Sequence, residues 1–332
     1  MEKIFSIVFV LLISIYPISL FGQAHGIPSS IRELSLSGNY LPESEDLLRF
    51  KTGVYFSKST RFYLVNHDLV KPSSYNDYNR YGMFFELDKR IKDSVIGISI
   101  PITRSEAYRN KSYYPVGDYV LERIGDIGLK AGWAPYLTDK SILYSELKFE
   151  IATQTDRAFT DPFMYISNDG HYALSGKAAY NRIFSKTFNM FADITFVNRL
   201  PKRRTMIEGA RALAIAGNTN PEIKAKLNIR DYLIFFIGGT YKHNSLNYSL
   251  GYEWFYETKD RVSDIESEGN ASVENAVLSS VGYEDAFVNS VIGSLAYEVN
   301  EKSKISVFAK IPFQGSYAYN EKIFSLIWET NF

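Results

Sequence analysis

The hydrophobic pattern of this chain has a period of two over most of its length, and it is clearest between Ile124 and Gln154. There Ile127, Leu129, Ala131 and Trp133 alternate with Asp126, Gly128, Lys130 and Gly132. A polar turn, Leu137-Thr138-Asp139-Lys140, follows; then Leu143, Leu147, Phe149 and Ile151 alternate with Tyr144, Glu146, Lys148, Glu150 and Gln154. Successive side chains of an extended strand point to opposite faces, so each run is an amphipathic strand and the two form an antiparallel hairpin. The polar face decides the environment. Glu146, Lys148 and Glu150 stand in one row opposite a continuous apolar face, which suits a barrel in lipid with apolar residues outward and polar ones toward a wet interior.

The same rhythm predicts strands at 32–40, 48–56, 61–66, 79–89, 94–102, 173–184, 188–198, 246–257, 286–298, 304–311 and 322–332, besides the hairpin above. In 222–241 the alternation blurs after Leu233, and parity favours one long bulged strand over two short ones. Short turns fall near 58–60, 90–93, 137–140, 185–187, 242–245 and 299–303, with long segments between them. That alternation of short and long connections predicts an all-β protein, a transmembrane antiparallel up-and-down β-barrel of about fourteen strands, with twelve or sixteen as alternatives and both termini periplasmic.

The N-terminus carries Lys3, an apolar run from Ile4 to Leu20 and small residues at Gly22-Gln23-Ala24. This is the pattern of a cleavable signal peptide over 1–24, leaving 25–332 as a single outer-membrane barrel domain. No second apolar run of that length follows, so a membrane location requires closed strands rather than helices. Charge is balanced, 37 basic against 37 acidic residues, and gives no sign of a nucleic-acid partner. Cysteine is absent, which excludes disulfides and thiolate chemistry. The end of the chain sets Phe324, Leu326, Trp328 and Phe332 on one face, with Thr330 the exception. A terminal Phe on such a strand resembles the signal read by the bacterial barrel-insertion machinery.

Candidate chemistry is sparse. The four histidines, His25, His67, His171 and His243, have no metal-ligand spacing, and no phosphate loop or nucleophile elbow is present. Asp169, His171 and Ser175 lie near one another, but Ser-Asn-Asp-Gly at 167–170 reads as a loop tip, so a barrel-embedded hydrolase is the weakest reading. No cofactor or metal is expected. The alternation aims Arg49, Lys51, Glu86, Asp88, Asp126, Lys130, Glu146, Lys148, Glu150, Asp193, Lys224, Lys226, Glu253, Lys304 and Lys310 inward, as candidate lumen-lining residues. Cross-strand ion pairs that fill a narrow barrel would need the same residue types as a charged pathway, so the two readings weigh equally. Lys202-Arg203-Arg204 is a candidate contact for anionic lipopolysaccharide, though a solvated loop is favoured. The tyrosines of 103–122 read as an interfacial girdle before they read as a substrate site.

At Ile124-Gly125-Asp126-Ile127-Gly128-Leu129-Lys130 the sequence resembles the Gly-Asp-hydrophobic segment that opens a central strand in the MetA-pathway phenol-degradation family. The resemblance implies an outer-membrane barrel transporter, distantly akin to fatty-acid channels. Residues 25–31 are too short for the N-terminal hatch of those channels. The expected function is therefore passive passage of small solutes, hydrophobic or aromatic ones among them, through the bacterial outer membrane. The alternative is a closed structural or adhesive barrel with partner-binding loops. Expected contacts are outer-membrane lipid and lipopolysaccharide, with the insertion machinery reading Phe332.

Overall fold

A computed structural model describes residues 48–59, 61–63, 67–70, 75–109, 119–153, 172–205, 224–228, 231–258, 261–266, 285–316 and 318–332. The signal-peptide segment and the strand expected at 32–40 lie outside these. Twelve antiparallel strands form one ring: β1 (Leu48–Ser59), β2 (Tyr75–Ile91), β3 (Ser94–Arg109), β4 (Tyr119–Ile124 continued by Ile127–Leu137), β5 (Ser141–Ile151), β6 (Ala173–Ser185), β7 (Phe188–Arg199), β8 (Tyr232–His243), β9 (Leu246–Glu257), β10 (Ala286–Asn300), β11 (Ser303–Ser316) and β12 (Lys322–Asn331). Each strand pairs with its neighbours in sequence. The ring closes where β1 meets β12, from Arg49 opposite Asn331 to Lys58 opposite Lys322. Closure leaves no exposed edge, which a strand needs in a medium without water to satisfy its backbone.

Strand length and alternation follow from the same medium. A tilted strand needs roughly 9–11 residues to cross the hydrocarbon, and every ring strand meets this. In β4, β5 and β12 buried and exposed side chains alternate almost without a fault. The outward rows expose Ile96, Leu129, Leu147, Ile194, Leu250, Val307 and Leu326 to the surroundings. Near the short turns the same face carries Trp133, Tyr136, Phe184, Phe188, Tyr241 and Tyr297, the amphipathic rings expected at the level of lipid headgroups.

The short turns at 92–93, 138–140, 186–187, 244–245 and 301–302 lie at one end, together with the start of β1 and the finish of β12. The remaining connections lie at the other end. There Lys202–Thr205, Lys224–Asn228 and Arg261–Glu266 form a small sheet beyond the ring, and Phe62–Tyr63, Leu69–Val70 and Ala318–Tyr319 form another.

The ring has twelve strands rather than fourteen, because it closes from β12 to β1 without the segments expected at 32–40 and 61–66. β1 pairs directly with β2 over its whole length, from Leu48 opposite Lys89 to Ser59 opposite Tyr78. No strand at 61–66 stands between them: a continuous ladder of that length outweighs one of a few residues, and Phe62–Tyr63 pairs outside the ring. Lys58 and Ser59, expected in a short turn near 58–60, are the last residues of β1 and lie at the long-connection end. Residues 222–241 are not one bulged strand either. Lys224–Asn228 pairs in the outer sheet, and only Tyr232–His243 enters the ring. Its blurred phase comes from Tyr232, Ile234 and Phe236, apolar residues that face inward and are buried.

Leu250 stands in the middle of β9, 64% exposed on the outward face. Leu250→Lys is expected to destabilise the barrel in phospholipid vesicles by about 2–4 kcal/mol, measured by urea-induced unfolding. Unchanged stability would contradict a lipid-facing outer surface.

Candidate functional site

The inward face is built by the register. Lys304 on β11 lies opposite Glu329 on β12, Glu329 lies opposite Lys51 on β1, and Lys51 lies opposite Glu86 on β2. Four neighbouring strands thus carry one row of alternating charge across the closing seam. Lys304 Nζ is 2.9 Å from Glu329 and Lys51 Nζ is 3.5 Å from it. One step nearer the short turns, Arg49 Nη2 donates to Asp88 Oδ2 at 2.7 Å. Opposite charges on facing positions stabilise a strand pair, and here both partners are buried, so each must find its counter-charge or the strand will not settle.

Two lysines would clash without glycines beside them. Lys130 on β4 lies directly opposite Lys148 on β5, and like charges so placed repel. Lys130 escapes by crossing over β3 at Gly97 to reach Glu86, and Asp88 at 2.5 Å, both on β2. A Cβ at Gly97 would strike Asp88 Oδ1 and Lys130 Cε. Lys148 lies over Gly128 and pairs with Glu150 at 2.6 Å. The same device seats rings. Tyr55 lies over Gly82 and Phe84 over Gly53, a reciprocal exchange between facing positions of β1 and β2. Phe236 rests over Gly238 and Gly251.

These rings belong to an apolar belt inside the barrel. Tyr55, Phe84, Phe191, Phe236, Ile292, Phe308, Ile323 and Ile327 form one buried cluster, and the Phe191 and Phe236 rings are 5.4 Å apart. The belt runs along the wall from β7 through β12 to β2. The facing wall is polar: Glu146 accepts from the Tyr144 hydroxyl at 2.7 Å, and Lys177 on β6 pairs with Asp193 on β7 at 3.0 Å. Ionised side chains thus face the belt and also stand on its own strands nearer the short turns. The mid-section of the interior is also filled, since Phe84, Glu86 and Asp88 are 1%, 2% and 0% exposed.

The two ends differ. At the short-turn end a cavity of about 470 Å³ opens between the β6–β7 and β10–β11 turns, reaching inward to Lys304, Glu329 and Asn331. At the long-connection end Tyr63 sits against Gly315 on the inner wall, and Asn320 Nδ2 donates to its hydroxyl at 2.6 Å. His67 Nδ1 donates to the Gly315 carbonyl at 2.8 Å. Burial pushes the Tyr63 phenol above its ordinary pKa, against the opposing effect of the Asn320 hydrogen bond. Ser57 Oγ donates to Glu321 at 2.5 Å, with Arg80 3.8 Å from the same oxygen. The 318–321 connection is thereby held down on the inner face of β1 and β2.

Thirteen of the residues assigned inward from sequence stand on the ring. Arg49, Lys51, Glu86, Asp88, Lys130 and Glu329's partner Lys304 form the seam network; Glu146, Lys148, Glu150 and Asp193 line the polar wall. Glu253 on β9 and Lys310 on β11 pair over the intervening β10. Asp126 is buried at the break in β4, where its Oδ1 accepts from the Thr153 amide at 3.2 Å. Lys224 and Lys226 do not join them: their strand lies in the outer sheet, and Lys226 is exposed there, 3.9 Å from Asp264. Sequence reasoning missed Lys177 and Glu329, which follow from the alternation of their strands, and the inward rings, of which Tyr55, Phe84 and Phe191 face glycines on a neighbouring strand. Asp169 and His171 lie outside the described residues, and Ser175 Oγ donates only weakly, to the Lys148 carbonyl at 3.5 Å. Among the described residues no group of acidic or histidine side chains could hold a metal ion.

No family model matches the chain, and no curated protein does. Solved structures do. The COG4313 outer membrane channel from Pseudomonas putida F1 superposes with a TM-score of 0.65 at 10% identity, over 89% of this chain and 99% of that one. That likeness establishes the closed-barrel fold. The CymD monoaromatic hydrocarbon channel aligns at 10% identity over 93% and 95% of the two chains, with a TM-score of 0.41. The transport unit of the autotransporter AIDA-I from Escherichia coli reaches 0.48 at 10% identity, over 88% and 94%. Neither of the last two is close enough to carry an argument.

Lys130→Met is expected to destabilise the barrel by about 3–5 kcal/mol, because it removes the buried cation paired with both Glu86 and Asp88, and adding Glu86→Gln should recover part of the loss. Urea unfolding in vesicles measures both. A single-variant loss below about 1 kcal/mol would mean the network does not hold the wall.

Proposed function

We propose that this protein is an outer-membrane channel for small solutes with substantial apolar surface, aromatic ones included. The observation that carries the reading is the mixed interior: a belt of rings from β7 round to β2, with ionised side chains on the facing strands and beside the belt on its own strands, inside a ring whose outer surface is apolar. Such a lining suits a conduit, because a solute can exchange water for ring contacts as it passes. The leader-like N-terminus supports export to the outer membrane, the short-turn end then faces the periplasm with both ends of the ring sequence, and the short resemblance to the phenol-degradation barrels at 124–130 fits the same reading. Phe191 and Phe236 are the constriction, and small movements of their rings open the path.

The filled mid-section favours a second reading, a closed structural barrel whose loops bind a partner. Flux separates the two. Liposomes holding the full-length protein should take up a small aromatic tracer faster than protein-free liposomes. Phe191→Ala with Phe236→Ala should raise that rate severalfold by removing the constriction. Uptake equal to that of empty liposomes in both proteins would sink the channel reading and leave the closed barrel.

A further inference from the structure

Two ion pairs of the interior are asymmetric in exposure. Lys304 keeps 17% exposure against 6% for Glu329, and Lys310 keeps 13% against 2% for Glu253. In both pairs the carboxylate lies deeper and the ammonium faces the remaining space. Lys304 reaches the cavity at the short-turn end, whose lining holds Lys186, Lys242, Lys302 and Lys304 against Glu298, Glu301 and Glu329. A volume of about 470 Å³ lies within the roughly 300–1,000 Å³ of sites that hold one small organic molecule. Farther in, Lys310 on β11 stands next to the belt, since Phe308 two residues away on the same face is one of its members.

We propose that the solute is a small organic anion with an apolar body, of the size of an aromatic carboxylate, and that Lys304 and then Lys310 receive its carboxylate while the belt receives the ring. This rests on the channel reading and narrows it. An ammonium whose acid partner is buried behind it can turn a remaining N–H toward a passing anion without stranding that partner, because Lys ammonium has three donors. The reverse arrangement, with acids outermost, would select amines. A bare hydrocarbon would gain nothing from the polar wall and would have to displace its hydration.

The test uses the full-length barrel in liposomes at pH 8, where a carboxylate with an ordinary pKa near 4 is ionised. Uptake of benzoate, benzyl alcohol and benzylamine is compared after subtraction of the rates in protein-free liposomes. Benzoate is expected to enter fastest. Lys304→Gln should lower the benzoate to benzyl alcohol ratio roughly tenfold, the worth of one hydrogen bond to a charged group, and Lys304→Arg should restore most of it. Lys304→Gln leaves Glu329 its second cation, Lys51 at 3.5 Å, so the barrel remains closed. A ratio unchanged by Lys304→Gln, or faster entry of benzylamine than of benzoate, would overturn the proposal while the channel reading stands. Failure of all three solutes to exceed protein-free liposomes would remove the channel reading and the proposal with it.

Discussion

Everything in this barrel follows from the pairing of β1 with β12. A strand in lipid has no water to satisfy its backbone, so the sheet must bend until its first and last strands meet. That one contact fixes the number of strands and hence the width of the interior. It also explains the row of alternating charge from Lys304 to Glu86. The seam joins strands far apart in sequence. A row of opposite charges that pairs in only one register selects that register, because a slip of one residue would turn every one of those charges toward lipid.

A ring of twelve strands is narrow, and inward side chains must share little space. Glycine makes the sharing workable. Gly97 lets Lys130 reach acids two strands away, and Gly53 and Gly82 let Phe84 and Tyr55 lie along the wall instead of across the lumen. The result is an interior in which charge is compensated pair by pair and rings are stored flat. In the proposed channel, conduction and stability would draw on the same residues: the counter-charges that hold the wall leave Lys304 and Lys310 the more exposed partners, and the rings that pack the middle would narrow the path.

Much of this was legible in the sequence. The strict alternation of β4, β5 and β12 exposes their two faces without ambiguity, and the inward charges from Arg49 to Lys310 follow from it. What was not legible has physical causes. The strand expected at 61–66 alternates like its neighbours, and only the direct ladder between β1 and β2 excludes it. Lys224 and Lys226 alternate correctly but sit on a strand that pairs outside the ring, a choice made by tertiary pairing and not by local pattern. The inward rings broke the rule of polar residues inside, and the glycines that Tyr55 and Phe84 lie over are on the neighbouring strand, out of reach of any local reading. The facing lysines Lys130 and Lys148 gave no hint that each leans over the preceding strand, at Gly97 and Gly128.

The central claim is that side chains fill this ring at its middle, so that it is not a water-filled pore. The conductance of the unmodified protein in a planar lipid bilayer tests this most directly. The account predicts an ion current close to that of the bare membrane, without stable porin-sized steps. Sustained, large and voltage-independent steps in simple salt would show a continuous aqueous lumen and contradict it.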